Sequence, residues 1–154
     1  MLRQTLSDAL KTATKAQDKR AMSTLRLILA ALKDRDIAAR GRGNADGIDE
    51  TEILQMLQTM VKQRRESIAM YEEGDRPELA AKEAEEIEVI EGYLPKQLDA
   101  DEVGRAVAAA IAEIEATSLK DMGGVMALLR ERYAGRMDFG RAGGAVKERL
   151  KQAE

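Results

Sequence analysis

The sequence predicts an all-α protein: an N-terminal helical bundle of about four helices followed by a smaller C-terminal three-helix tail domain. Apolar residues recur at spacings of three and four along most of the 154 residues, no stretch sustains period-two alternation, and start and stop signals cut the pattern into seven segments. Composition agrees. With 44% hydrophobic but only 3% aromatic residues, any core must be Leu, Ile, Val, Met and Ala, which favours helix-on-helix packing.

Taking the segments in order, Leu2, Leu6, Ala9, Leu10 and Ala13 share one face and predict a first helix over about residues 2–16. Met22, Leu25, Ile28, Leu29 and Leu32 predict a second from about Asp18 to Ala39, with no Gly or Pro inside. Arg40 to Gly47 holds three glycines and no periodicity, and reads as a loop. Asp49 with Glu52 makes a capping pattern that opens the third helix, which continues through Ile53, Leu57, Met60, Val61, Ile68 and Tyr71. It is expected to end at Gly74, in the left-handed conformation glycine tolerates. Pro77 starts the fourth, whose end near Gly92 is enforced by Pro95.

The domain boundary falls at that proline, giving residues 1–95 and 96–154. Asp99 and Glu102 repeat the capping pattern ahead of Val103, Ala106, Val107, Ala110, Ile111 and Ile114. Ser118 with Asp121 opens a sixth helix built on Met122, Val125, Met126 and Leu129 and closed by Gly135. Asp138 caps a seventh with Ala142, Val146 and Leu150 inward.

The residue inventory restricts chemistry. No Cys, His or Trp occurs, so disulfides, Cys/His metal sites and imidazole acid–base catalysis are excluded. No cofactor, metal or catalytic residue is expected, and no apolar run reaches the roughly 18 residues of a membrane span. A soluble, cytoplasmic protein is the expectation. Net charge is −3, distributed as +6 over residues 1–42, −11 over 43–102 and +2 over 103–154. Either end could meet a polyanion, whereas the middle could not.

At about 100° per residue, Arg64 falls on the apolar stripe of the third helix, and Glu83 and Glu86 on that of the fourth. Buried charges persist when paired, so Arg64 is expected to form a structural ion pair with Glu83 or Glu86. A di-metal carboxylate site would need the histidines this chain lacks. Lys19, Arg26, Lys33 and Arg40 recur every seven residues and form a basic ridge, which either follows a phosphate backbone or is a solvated face neutralised by Asp18, Asp34 and Asp36. Arg40 and Arg42 among glycines read as a surface linker, and Lys62 with Arg65 as a minor basic spot.

In the tail, residues 130–154 carry seven basic groups against four acidic ones, an excess compatible with an RNA-facing surface or with ordinary helices. Gly123 and Gly124 lower helix stability and let another backbone approach, either a neighbouring helix or a ligand. The eight methionines read as core filler.

Several segments, in this order and spacing, resemble the GatB/YqeY family: Ser23-Thr24-Leu25-Arg26, Lys62-Gln63-Arg64-Arg65-Glu66-Ser67, Glu83 with Glu86-Ile87, Tyr93-Leu94-Pro95-Lys96-Gln97-Leu98, and Asp121-Met122-Gly123. The resemblance covers almost the whole chain. It implies a helical bundle joined to a tail similar to that of the B subunit of glutamyl/aspartyl-tRNA amidotransferase, which contacts tRNA. Two positions depart from it: Gly124 stands where many relatives have lysine, which removes a cation from the implied RNA contact, and Met137-Asp138-Phe139 where many read Ala-Asp-Gly.

The expected function is therefore non-catalytic tRNA binding, through Lys120, Gly123, Arg130, Arg136, Arg141 and Lys147 of the tail and through Lys19 and Arg26 of the ridge. The tail cations are expected to form one coherent face. The alternative is an adaptor that docks on a tRNA-aminoacylating or amidating enzyme, an aminoacyl-tRNA synthetase or amidotransferase, through the acidic middle segment. Carbon–nitrogen ligase activity using glutamine as amide donor is implied by the resemblance alone, since no nucleotide-binding or nucleophilic groups are evident.

Overall fold

The computed structural model of the protein describes residues 1–153, all of whose regular structure is helical. It divides into two compact units, Met1–Pro95 and Lys96–Glu154. The first holds α1 (Leu2–Lys15), α2 (Lys19–Gly41), α3 (Glu50–Glu73) and α4 (Pro77–Glu91). The second holds α5 (Ala100–Glu113), a 3-10 turn (Leu119–Asp121), α6 (Met122–Tyr133) and α7 (Phe139–Ala153).

In the first unit α3 packs along α4, α2 lies against α1, α3 and α4, and α1 reaches α3 as well. Leu6, Leu25, Ile28, Ile53, Met56, Leu57 and Ile90 are fully buried between them. Each side chain of this size contributes about 1.5–3 kcal/mol on leaving water.

Asp36 lies within this core, only 5% exposed. Its row-mates at four-residue steps are Ile28 and Leu32, so it belongs to the inward stripe of α2 and meets the basic ridge through Arg40, at the ridge's C-terminal end. Arg3 of α1 grips both carboxylate oxygens, with Nη2 3.1 Å from Oδ1 and 2.8 Å from the Ile48 carbonyl. The Ile48 amide donates to Oδ1 at 2.9 Å. The Arg3 hydrogen bond, aided by the Ile48 amide and the nearby charge of Arg40, holds the Asp36 carboxyl below its ordinary range against the opposing effect of burial. Gly47 packs so closely that a Cβ there would overlap this carboxylate, and its φ of +82° also demands glycine. Asp36 thus ties α1, α2 and the loop before α3 together.

Helix starts follow the capping pattern. Asp49 Oδ1 accepts from the Glu52 amide at 2.9 Å and Asp99 Oδ1 from the Glu102 amide at 2.7 Å, with each glutamate reaching back to its cap residue. Gly135 after α6 is left-handed as expected, at φ +78°, but the end of α3 differs. Gly74 has φ −84°, and the left-handed residue is Asp75, at φ +56°. The Arg76 amide reaches the Tyr71 carbonyl at 2.7 Å and that of Asp75 the Glu72 carbonyl at 3.2 Å, so the terminating motif sits one residue later. Gln17 and Glu115 occupy equivalent left-handed positions after α1 and α5.

The second unit buries smaller residues: Ala106, Val107, Ala110, Val125, Leu129, Ala142, Val146 and Leu150. The segment before α5 is laced to the α6–α7 loop by Leu98 N to Arg136 O at 2.8 Å, Gln97 Nε2 to Gly135 O at 2.5 Å and Arg136 Nε to Lys96 O at 3.2 Å. Ser118 opens the 3-10 turn rather than the α-helix, because Asp121 turns back to accept from the Thr117 and Ser118 amides at 2.9 and 3.2 Å. The α-helix begins only after it.

Candidate nucleic-acid interface

Arg64 lies between α3 and α4, with Nε donating to Glu86 Oε2 at 2.8 Å and Nη1 to the Met60 carbonyl at 3.2 Å. Both side chains are about seven-eighths buried, so the pair acts as a strut of the hairpin. Glu83, half-buried one turn away, takes no part in it. Among the described residues no group of three or more His, Cys, Asp or Glu side chains is arranged to hold a metal ion.

The tail cations do not form one face. Arg132 pairs with Glu113 of α5 at 2.5 Å, lowering the pKa of that glutamate. Arg136, half-buried, is held by the Lys96 carbonyl and lies over the Tyr133 ring, 6.0 Å from its centroid. Arg141 follows the Asp138 cap, which takes up the first free amides of α7 at Gly140 (2.8 Å) and Arg141 (3.3 Å). Helical projection puts Arg141 about 120° from Lys147, on another side of α7.

A smaller set does converge. Met122 and Met126 of α6 pack on Gly143 of α7, and Arg130 lies over the Phe139 ring at 5.8 Å, so the helices meet along these rows. Away from α5, the next positions outward on α6 are Gly123, Ala127 and Arg130, and on α7 Gly140, Gly144, Lys147 and Lys151. All seven are exposed. A Cβ at Gly123 or Gly144 would meet nothing within 4 Å, so both glycines leave bare backbone open to solvent. The turn bearing Lys120 packs on α7 at the same end of α6. Gly124 serves a different purpose: a Cβ there would come 3.2 Å from Ile114 Cδ1, so it permits close packing inside the unit.

The outer α6–α7 surface is therefore a shallow, side-chain-poor strip bordered by Lys120, Arg130, Lys147 and Lys151, none of which has an ion-pair partner among the described residues. It brings together Lys120, Gly123, Arg130 and Lys147 of the sequence expectation and leaves out Arg136 and Arg141. Sequence reading counts Lys151 only among the seven basic groups of the tail and misses Ala127, Gly140 and Gly144, although the run Gly140, Gly143, Gly144 inside a helix is a visible signal. On α2, Lys19, Arg26 and Lys33 are exposed along one side, while Arg40 donates to the Ala45 carbonyl at 3.2 Å.

Fold and site define a two-unit all-helical protein whose small C-terminal unit displays exposed cations with no ion-pair partner among the described residues. The chain matches the Yqey-like protein family over residues 3–150 and belongs to it. It is 30% identical over 102 residues to Altered inheritance of mitochondria protein 41, mitochondrial, of Saccharomyces cerevisiae, covering 63% of this chain and 53% of that protein. The proteins of the same name from Kluyveromyces lactis and Lachancea thermotolerans are 31% and 32% identical over 88 and 89 residues, covering 57% and 58% of this chain and 45% and 46% of those proteins. The chain thus spans about half the length of these curated relatives.

Proposed function

We propose that the protein is a non-catalytic tRNA-binding module whose tail lies along a phosphate backbone through the outer α6–α7 strip. The observation that carries this reading is the combination of Lys120, Arg130, Lys147 and Lys151, cations with no carboxylate partner among the described residues, with exposed backbone at Gly123 and Gly144. Bare helix surface lets a sugar-phosphate chain come within reach of the flanking ammonium and guanidinium groups. The tail's similarity to the amidotransferase B-subunit tail selects tRNA among polyanions, and an aminoacyl-tRNA synthetase or amidotransferase is the partner such a module would serve, in the cytoplasm. With four cations engaged, log K should fall against log salt with a slope near −3 to −4.

Filter binding of mixed tRNA across a salt series tests this. Arg130→Ala with Lys147→Ala should weaken binding at least about tenfold at low salt and reduce the slope by about two. Arg141→Ala should change binding less than about twofold. No retention of tRNA at micromolar protein in low salt, or equal losses from all three sites, would overturn the reading.

A further inference from the structure

We infer that the outward face of α2 is a docking seam for an amphipathic helix of a partner protein that carries carboxylates at every seventh residue. Ser23, Leu27, Ala30, Asp34 and Ile37 alternate in steps of four and three, the spacing of a helix-pairing seam, while Lys19, Arg26 and Lys33 repeat every seven residues along one border. Projected at about 100° per residue, all eight fall within an arc of about 120° opposite the buried Leu25, Ile28 and Leu32.

All eight are solvent-exposed, including two large apolar side chains, Leu27 at 44% and Ile37 at 56%. Lys19, Arg26 and Lys33 have no ion-pair partner among the described residues, whereas Arg20, on the other border, is already held by Glu85 and Glu88 of α4. A phosphate backbone would use the cations and leave Leu27, Ala30 and Ile37 idle. A helix with an apolar stripe and an acidic border uses both.

Charge complementarity sets the occupant. A second copy laid antiparallel would bring the same basic border against itself, and a parallel one would set that border against the opposite flank, where Ala31 and Ala38 carry no charge and Thr24 is buried in the bundle. The partner helix is therefore acidic at the positions facing Lys19, Arg26 and Lys33. Small Ser23 and Ala30 allow close approach, and Asp34 within the seam fixes register by requiring a cation or hydrogen-bond donor opposite it.

The probe is a synthetic peptide of about three heptads with leucine along the seam, one asparagine at the position facing Asp34 and glutamate at both borders, titrated by fluorescence anisotropy against the full chain. The same peptide with lysine borders and a short RNA hairpin serve as comparators. The glutamate peptide should bind and the lysine peptide should not. Arg26→Glu with Lys33→Glu should weaken the glutamate peptide at least about tenfold and admit the lysine peptide.

Ile37→Ser, which removes no charge at a position 56% exposed, should weaken binding at least about threefold. Failure of the glutamate peptide to bind, or equal binding to the charge-reversed chain, overturns the proposal. So does an RNA hairpin that binds this face and is lost with the charge reversal but not with Ile37→Ser. Concentration-dependent dimerisation abolished by Ile37→Asp would assign the face to a second copy and overturn it as well.

Discussion

In Met1–Pro95 the most buried charges are engaged, Asp36 with Arg3 and Arg64 with Glu86, and the more exposed Arg20 and Arg65 pair with carboxylates of α4. In Lys96–Glu154 the core is apolar, its side chains are mostly Ala and Val, and Lys120, Arg130, Lys147 and Lys151 outside it have no ion-pair partner among the described residues. The buried polar side chains among the described residues, Thr24 and Asp36, both belong to the first unit. An ion already committed to a partner has little left to offer a ligand. An unpaired surface cation offers nearly all of its Coulomb attraction, at the expense of contributing nothing to stability. The bundle commits its buried charge to architecture, whereas the cations of the outer α6–α7 strip, like Lys19, Arg26 and Lys33 on α2, are left available for recognition.

The contrast breaks most easily at the tail's core. Leu129, 1% exposed, is one of the few large residues there, and Leu129→Ala should cost about 3 kcal/mol or more. A unit of 59 residues has little stability to spare, so the tail should lose its structure while the bundle keeps its own. Amide hydrogen exchange would show protection lost in α5–α7 and retained in α3 and α4.

Within the bundle, Asp36→Ala leaves the Ile48 amide without its acceptor and the Arg3 guanidinium without its counter-ion, at a cost of about 2–3 kcal/mol in urea unfolding. The pH dependence has a definite sign. The folded-state pKa of Asp36 lies below its ordinary value of 3.8, so its stabilising effect is complete above the ordinary carboxylate range. It is lost as pH falls through that value toward the folded-state one. Asp36→Asn should flatten the acid limb of bundle stability between about pH 5 and pH 2 and leave that of the tail unchanged.

The apolar rows and capping pairs made all seven helices legible in the sequence, because both are local and depend on residues within a turn or two of each other. Asp36 shows where this stops. Its place on the Ile28–Leu32 row was visible, yet its burial depends on Arg3 and Gly47, which lie on other elements. The tail cations were all identifiable as residues, but which of them converge is decided by the pairing of α6 with α7 and by competing partners such as Glu113 and the Lys96 carbonyl. The glycine strip needed the helices to be placed before Gly123 and Gly144 could be told apart from Gly124.

Helix ends supply the smallest effect and a direct comparison of the two units. Asp75 in the bundle and Glu115 in the tail both hold φ +56°. Asparagine and aspartate bear that conformation better than glutamate, because a short side chain can hydrogen-bond locally. Glycine at either site relieves the Cβ crowding, offset in part by its greater freedom in the unfolded chain. Glu115→Gly should therefore stabilise the tail by about 0.5–1 kcal/mol, and Asp75→Gly the bundle by about half as much. Because Glu115 is exposed and without a cation partner among the described residues, no compensating ion pair is lost. Urea unfolding of each variant, followed by probes in α6 and α3, would separate the two gains. Equal gains would mean that the left-handed residue's identity does not matter at these termini.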